Sequence, residues 1–266
     1  MTLPFFPLML VGWAFVAGLM LGLWLVQRVR GDAGIVDAGW AASLGFLALF
    51  YAALTGPEAP RRWLVAGLAA VWAFRLALYL LRDRVIGKPE DGRYQALRRH
   101  WGERAQVRFL LFFQGQALAA SAFSVPFLIA LRSPAPGFSA AHAAGVLIWL
   151  VAVAGESVAD AQLARFRADP AHRGRTCRAG LWGWSRHPNY FFEWLHWWSY
   201  VLLAAGSPWW WVNLLAPALM LHFLFNVTGI PHTEARALET RGDDYREYQR
   251  TVSVFVPWPP RRPRSV

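Results

Sequence analysis

The sequence predicts an all-α, polytopic membrane protein with seven transmembrane helices, the N-terminus outside and the C-terminus in the cytoplasm. Three observations predict it. Hydrophobic residues make up 56% of the 266 positions and charged residues only 16%, a balance unlike that of a soluble domain. The apolar residues run in stretches of about 20, the length that crosses roughly 30 Å of hydrocarbon as a helix. The basic residues are segregated: 23 of the 27 Lys and Arg fall on one side of the predicted spans, the asymmetry that sets orientation.

Taken in order, the first span is Leu3 to Val26, which lacks a basic leader and a small-residue cleavage site and is therefore read as a retained helix. Arg28 and Arg30 follow it. Spans at Ile35 to Leu54, Trp63 to Leu81, Phe109 to Leu131, Ala141 to Leu163, Tyr190 to Ala205 and Pro208 to Val227 complete the seven. Between the third and fourth, Glu90 to Arg104 places Tyr94, Leu97 and Trp101 at helical spacing with charge on the other face. This predicts an amphipathic helix, either interfacial or solvated. His232 to Trp258 predicts a cytoplasmic helix broken or bent at Gly242, and residues 259–266 a disordered tail rich in proline and arginine. No repeat or long linker divides the chain, so a single domain over residues 1–266 is expected.

The net charge of +11 lies beside apolar spans rather than on a soluble face, which points to anionic lipid or a phosphorylated cofactor and away from nucleic acid. Cys177 is the sole cysteine, which excludes an intrachain disulfide and a thiolate metal cluster. His187, His196, His222 and His232 form no metal-ligand spacing, and no metal is expected. No glycine-rich dinucleotide fingerprint, P-loop or nucleophile elbow is present. A nucleotide would have to be held by membrane helices and their loops.

Chemistry concentrates in Gly180 to Gly206. There a basic, aromatic loop ending Arg186-His187-Pro188-Asn189-Tyr190 runs into an apolar helix. Asn189, Glu193, His196 and Tyr200 share one helical face within about 40°. Ionisable groups inside a span cost about 2.5 to 3.5 kcal/mol at its centre. Asp37, Arg75, Glu156, Asp160, Glu193, His196 and His222 are therefore site candidates. Glu156, Asp160 and Arg167 fall on nearly one face of the fifth span, an arrangement able to bind ribose hydroxyls and phosphates or to form a structural ion-pair network. Trp182, Trp184, Trp194, Trp197 and Trp198 flank the stripe as belt residues or pocket walls, while Trp209, Trp210 and Trp211 read as interfacial anchors.

The stretches GLWGWSRHPNYFFEWLHWW and KPEDGRYQALRRHWG resemble the membrane steroid 5-alpha-reductase family and, within it, the bacterial branch of domain-of-unknown-function 1295 proteins. The resemblance implies a seven-helix fold in the bacterial inner membrane, with NADPH held by a C-terminal half over residues 108–258. Its cofactor positions fall on Glu156, Asp160, Arg167, Arg175, Asn189, Glu193, His232, Tyr245 and Tyr248. Substrate positions fall on Trp40, Trp72, Arg75 and Gln114, and Tyr79 also matches. Two departures concern substrate: Trp72 stands where the steroid enzymes carry a carbonyl-binding tyrosine, and Asp37, in Ile-Val-Asp-Ala-Gly-Trp, is the nearest match to their second-span Gln-Glu pair.

The resemblance implies NADPH-dependent reduction of a carbon-carbon double bond conjugated to a carbonyl in a lipophilic, steroid-like or isoprenoid substrate. Asp37 and Glu193 are the catalytic candidates, Asp37 as the acid that polarises the carbonyl if burial keeps it protonated. The partners expected are that small molecule and membrane lipid, with no nucleic acid or protein partner. Two alternatives stay open. Arg186 to Tyr190 with Glu234 to Tyr248 also fits an S-adenosylmethionine-dependent membrane methyltransferase resembling isoprenylcysteine carboxyl methyltransferase. A non-catalytic lipid-binding protein on the same fold is the other.

Overall fold

The computed structural model describes residues 4–56, 59, 61–134, 137–227 and 229–261. The chain is an all-α polytopic membrane protein. Its helices are α1 (Phe5–Arg30), α2 (Ile35–Leu54), α3 (Arg62–Leu80), α4 (Gly92–Trp101), α5 (Ala105–Phe123), α6 (Val125–Leu131), α7 (Ala140–Ala168), α8 (Pro188–Leu203), α9 (Leu215–His222), α10 (Ile230–Arg241) and α11 (Asp243–Thr251). Among the described residues there is no strand, and the one β pairing is an isolated parallel bridge between Ser185 and Ser253.

Among the described residues, six helical stretches are long and apolar enough to cross a membrane: Phe5–Arg30, Ile35–Leu54, Arg62–Val85, Gly92–Leu131, Ala140–Ala168 and Trp210–Arg241. The remaining expected span is α8, whose 16 residues rise only about 24 Å. Pro188 opens it and the chain turns away after Leu203. The fourth expected span is divided at Ser124, where Pro126 has no N–H to continue the helical ladder. The third ends in a π turn over Leu81–Val85. Gly242, at a φ of 53°, separates α10 from α11 as the sequence predicts. Of the expected disordered tail, residues 262–266 lie outside the described residues; Arg261 is tied back by its N–H to the Thr251 carbonyl at 2.8 Å.

The expected single domain is built as two compact units, Met1–Gly137 with Ala204–Trp210, and Phe138–Leu203 with Trp211–Val266. The second unit opens at Phe138, later in the chain than the cofactor half expected from 108. In the first unit α2 is the central helix, packing on α1, α3, α5 and α6. Small residues let these helices approach, the usual device where lipid removes the hydrophobic drive between helices. A Cβ at Gly45 would lie 3.0 Å from Phe74 Cζ and 3.2 Å from Ala73 Cβ. Polar ties are local: Gln114 Nε2 donates to the Ala17 carbonyl at 3.2 Å, and Tyr51 and Ser124 hydroxyls meet at 3.1 Å. Large apolar side chains such as Phe6, Leu10 and Val29 are exposed on α1, as lipid permits.

In the second unit α7 and α8 pack along most of their length. Gly145 sits against the Ser199 carbonyl and Gly155 against the Phe192 ring. Asn213 Nδ2 donates to the Tyr200 carbonyl at 2.8 Å and Trp194 Nε1 to the Pro217 carbonyl at 3.1 Å, fastening α9 and the turn before it to α8. Gly45→Leu should lower thermal stability in detergent by ~1–3 kcal/mol through overpacking. Gly18→Leu, at a position with nothing within 4 Å of the added Cβ, should leave stability unchanged.

Candidate functional site

The loop that opens α8 is fixed by one carboxylate. Glu234, on α10, accepts from Arg186 Nε at 2.7 Å, from His187 Nε2 at 3.1 Å and from Gln249 Nε2 at 2.7 Å. Arg186 also donates through its NH1 nitrogen to the carbonyls of Gln249 at 2.9 Å and Val252 at 3.0 Å. Charge-assisted bonds of this kind are roughly twice as strong as neutral ones. Burial, the largest influence on His187, lowers its pKa, and Glu234 opposes that shift. The neutral imidazole with its proton on Nε2 makes this bond without an ion pair. The His187 ring stacks on Tyr190 at 5.4 Å, and Pro188 then occupies the first helical position of α8, where a missing N–H costs nothing.

The rest of the loop is pinned on both flanks. Gly180, at a φ of 57°, lets the chain turn where the Gln162 amide fills the space a Cβ would take, and Leu181 N–H donates to Gln162 Oε1 at 2.9 Å. Trp182 Nε1 donates to the Ala159 carbonyl at 2.9 Å. Asp244, at the start of α11, accepts from Thr176 N–H at 2.7 Å and from the Arg178 guanidinium at 2.8 Å. Burial pushes Asp244 up, but these hydrogen bonds and the Arg178 charge outweigh it and hold the carboxyl below its usual range.

Beneath the loop lies a polar seam between two apolar helices. On α7, Glu156 and Asp160 are buried at 4% and 5% exposure. Facing them on α8, Asn189 donates to Asp160 Oδ1 at 3.3 Å. Further along, Glu193 Oε1 accepts from Trp197 Nε1 at 3.1 Å, and His196 Nε2 meets the Tyr200 hydroxyl at 3.0 Å. Asn189, Glu193, His196 and Tyr200 thus form a strip of polar groups along α8, its last two members buried and bonded to each other.

Arg167 and Arg175 are both exposed, at the end of α7 and in the following loop. Burial pushes the Cys177 thiol up, while Arg167 and Arg241 pull it back, which places both guanidinium charges near this loop. Arg241 lies over the Tyr245 ring at 5.0 Å. His232 is exposed on α10. Tyr245 and Tyr248 are buried, and the Tyr248 hydroxyl is within hydrogen-bond reach of the carbonyls of Trp182 at 2.5 Å and Ser185 at 3.1 Å. Tyr248 therefore holds α11 to the loop, and its hydroxyl is committed to that task.

The remaining candidates sit in the first unit, where the two other sequence motifs meet. Asp37, at the start of α2, accepts from the Tyr94 hydroxyl at 2.5 Å and from Arg93 at 2.9 Å, with Arg84 at 3.8 Å. Both Asp37 oxygens act as acceptors, an arrangement at odds with the proton-donating acid expected from the sequence. Glu90 accepts from the Ala33 N–H at 2.8 Å and from Arg98 at 2.7 Å, tying α4 to the turn before α2. Tyr94 is thereby buried rather than laid on an interface. Trp72 is buried against Phe127, Trp40 stacks edge-on with Phe123, and Gln114 is held by the Ala17 carbonyl. Arg75 is half-buried on α3.

Sequence reading placed Arg186, His187 and Glu234 in the elements of the methyltransferase alternative without pairing them, and gave no role to Gln249. Arg186 and Glu234 are 48 positions apart, and no periodicity pairs residues at that distance. Among the described residues no three His, Cys, Asp or Glu side chains cluster as metal ligands would.

Fold and site define a polytopic membrane protein that carries a buried polar seam beneath a fixed basic loop. Residues 23–252 match the family described as "Protein of unknown function (DUF1295)", and the chain belongs to that family. No curated protein and no solved structure matches it.

Two outcomes check these assignments. Tyr248→Phe should cost about 1–3 kcal/mol of stability by leaving buried carbonyls unsatisfied, read as a lowered melting temperature in detergent. For His187 the folded pKa lies below the unfolded 6.5, so the unfolded chain binds the proton first. Stability is then full above that value and is lost as pH falls. Thermal melts should show less acid destabilisation between about pH 7 and 5 in His187→Asn than in the parent.

Proposed function

We propose that the chain is an NADPH-dependent reductase acting on a carbon-carbon double bond conjugated to a carbonyl in a lipophilic substrate. The observation that carries the reading is the α7–α8 seam, where Asp160 and Asn189 meet at 3.3 Å beside buried Glu156. Carboxylates and an amide on facing apolar helices are costly unless they have a task. They suit ribose hydroxyls and a carboxamide, while exposed Arg167 and Arg175, with Arg241 nearby, suit phosphates. The donor set therefore fits the cofactor.

When bound, NADPH supplies hydride to the β carbon of the conjugated system. The chain's own residues bind and orient. Arg167, Arg175 and Arg241 neutralise phosphate charge, and Asp160, Asn189 and Glu156 fix the ribose and amide ends. Glu193, oriented by Trp197, stands next along the strip. The resemblance of its motifs to the membrane steroid 5-alpha-reductase family supports this reading. The same reading places seven crossings in a bacterial inner membrane, with α8 as a short span and the basic loops in the cytoplasm.

The methyltransferase reading draws on one observation, the pairing of the Arg-His-Pro element with α10 and α11 through Glu234. Fluorescence titration of purified protein should show saturable NADPH binding, weakened about tenfold or more in Arg175→Ala, the size expected for one charge-assisted phosphate contact. Thermal stabilisation by S-adenosylhomocysteine and not by NADPH would reverse the assignment. Stabilisation by lipid alone would favour a non-catalytic lipid-binding protein.

A further inference from the structure

After α11 the chain folds back as a strap. Its backbone is fixed at several points: Arg186 N–H to the Ser253 carbonyl at 2.8 Å, Ser185 Oγ to the Phe255 carbonyl at 2.7 Å, and Trp258 N–H to the Trp184 carbonyl at 2.9 Å. Between strap and helix end lies a cleft of about 390 Å³, lined by Arg186, Arg250, Ser253, Trp258 and Arg261 among others. Among the described residues no Asp or Glu lines it. The Arg186 charge is matched by Glu234 at 2.7 Å. Arg250 and Arg261, both exposed, leave the cleft with two positive charges.

The ordinary explanation for an arginine here is service to the C-terminal end of α11, whose last carbonyls lack helical partners. Three of the last four are already satisfied. Tyr248 O accepts from Val252 N–H at 3.0 Å, Gln249 O from Arg186 at 2.9 Å, and Thr251 O from Arg261 N–H at 2.8 Å. Both free guanidinium forks are therefore available to a ligand. Beside them, Trp258 is 69% exposed and Val256 50% exposed on the same strap. An aromatic ring flanking two arginines is the combination that surrounds phosphates at a membrane surface, where each arginine near anionic lipid contributes about 1 kcal/mol. It suits a free phosphate ester as well.

We propose that this cleft is a binding site for a phosphate ester anion, either a phospholipid headgroup or a free phosphorylated solute, with Arg250 and Arg261 as its ligands and Trp258 as its wall. The site is separate from the α7–α8 seam and does not rest on the reductase reading.

The test uses the full-length protein carrying Arg250→Gln and Arg261→Gln. These exposed positions should fold normally, which an unchanged melting temperature without ligand verifies; Arg250→Lys with Arg261→Lys retains the charge as a second variant. Melts are recorded with pyrophosphate in detergent, and in nanodiscs of phosphatidylglycerol against phosphatidylcholine. Both series are repeated in an Arg175→Ala background, which weakens any contribution from the proposed cofactor site. Apparent affinity for the phosphate should fall about tenfold or more in the Gln variant, as expected for losing two charge-assisted contacts, and should be largely kept in the Lys variant. Arg28→Gln with Arg30→Gln, a basic pair elsewhere, should change nothing. Loss confined to the pyrophosphate series identifies a free solute, and loss confined to phosphatidylglycerol identifies a lipid headgroup. No stabilisation in either series, equal stabilisation of parent and Gln variant, or an equal loss in the Arg28 and Arg30 control would overturn the proposal.

Discussion

The second unit depends on the convergence of Arg186, His187 and Gln249 on Glu234. One carboxylate joins the loop before α8 to α10 and, through Gln249, to α11. Arg186 extends the junction to the carbonyls at the end of α11. The Arg186 and Glu234 side chains are only 12% and 15% exposed, so removing either would strand a nearly buried charge, a loss of about 3–5 kcal/mol in comparable pairs. The geometry of the loop follows from this anchor, since Pro188 and the first turn of α8 begin where the anchor ends.

That anchoring gives the polar seam its form. Asp160 and Asn189 face each other because α7 and α8 pack closely at Gly145 and Gly155, and because the α8 register is set at its first residue. Groups fixed in this way lose little freedom when a ligand arrives, which is how a membrane site binds without rearrangement. The exposed charges nearby are those of Arg167 and Arg175. The first unit repeats the strategy with different residues: Glu90 and Asp37 tie α4 to the start of α2, and Tyr94 is carried inward by that tie.

What the sequence made legible was what lies within one helix. Apolar run length located every long helix, and helical spacing put Asn189, Glu193, His196 and Tyr200 on one strip, two of whose members bond to each other. The break at Gly242 was legible because glycine adopts a positive φ without strain. Less was legible wherever partners are far apart in the chain. Glu234 reads as one acid in a charged helix, and nothing local reveals three donors from two other segments. Tyr248 reads as a cofactor residue by its motif, yet its hydroxyl serves two carbonyls more than 60 positions earlier. Asp37 reads as an isolated acid in a span, since hydropathy does not bring Tyr94 and Arg93 to it. The expected span from Tyr190 to Ala205 matches α8 in length but starts two positions late, because a window of apolar residues does not register where Pro188 starts the helix.

The account centres on a nucleotide held by α7, α8 and the loop that joins them. Hydrogen exchange of the segment from 169 to 175 reads this most directly, because its amides lie past the end of α7. Saturating NADPH should slow exchange there, with the exposed turn around Gly31 unaffected and S-adenosylhomocysteine without effect. Unchanged exchange with NADPH, or protection by S-adenosylhomocysteine in its place, would contradict the account.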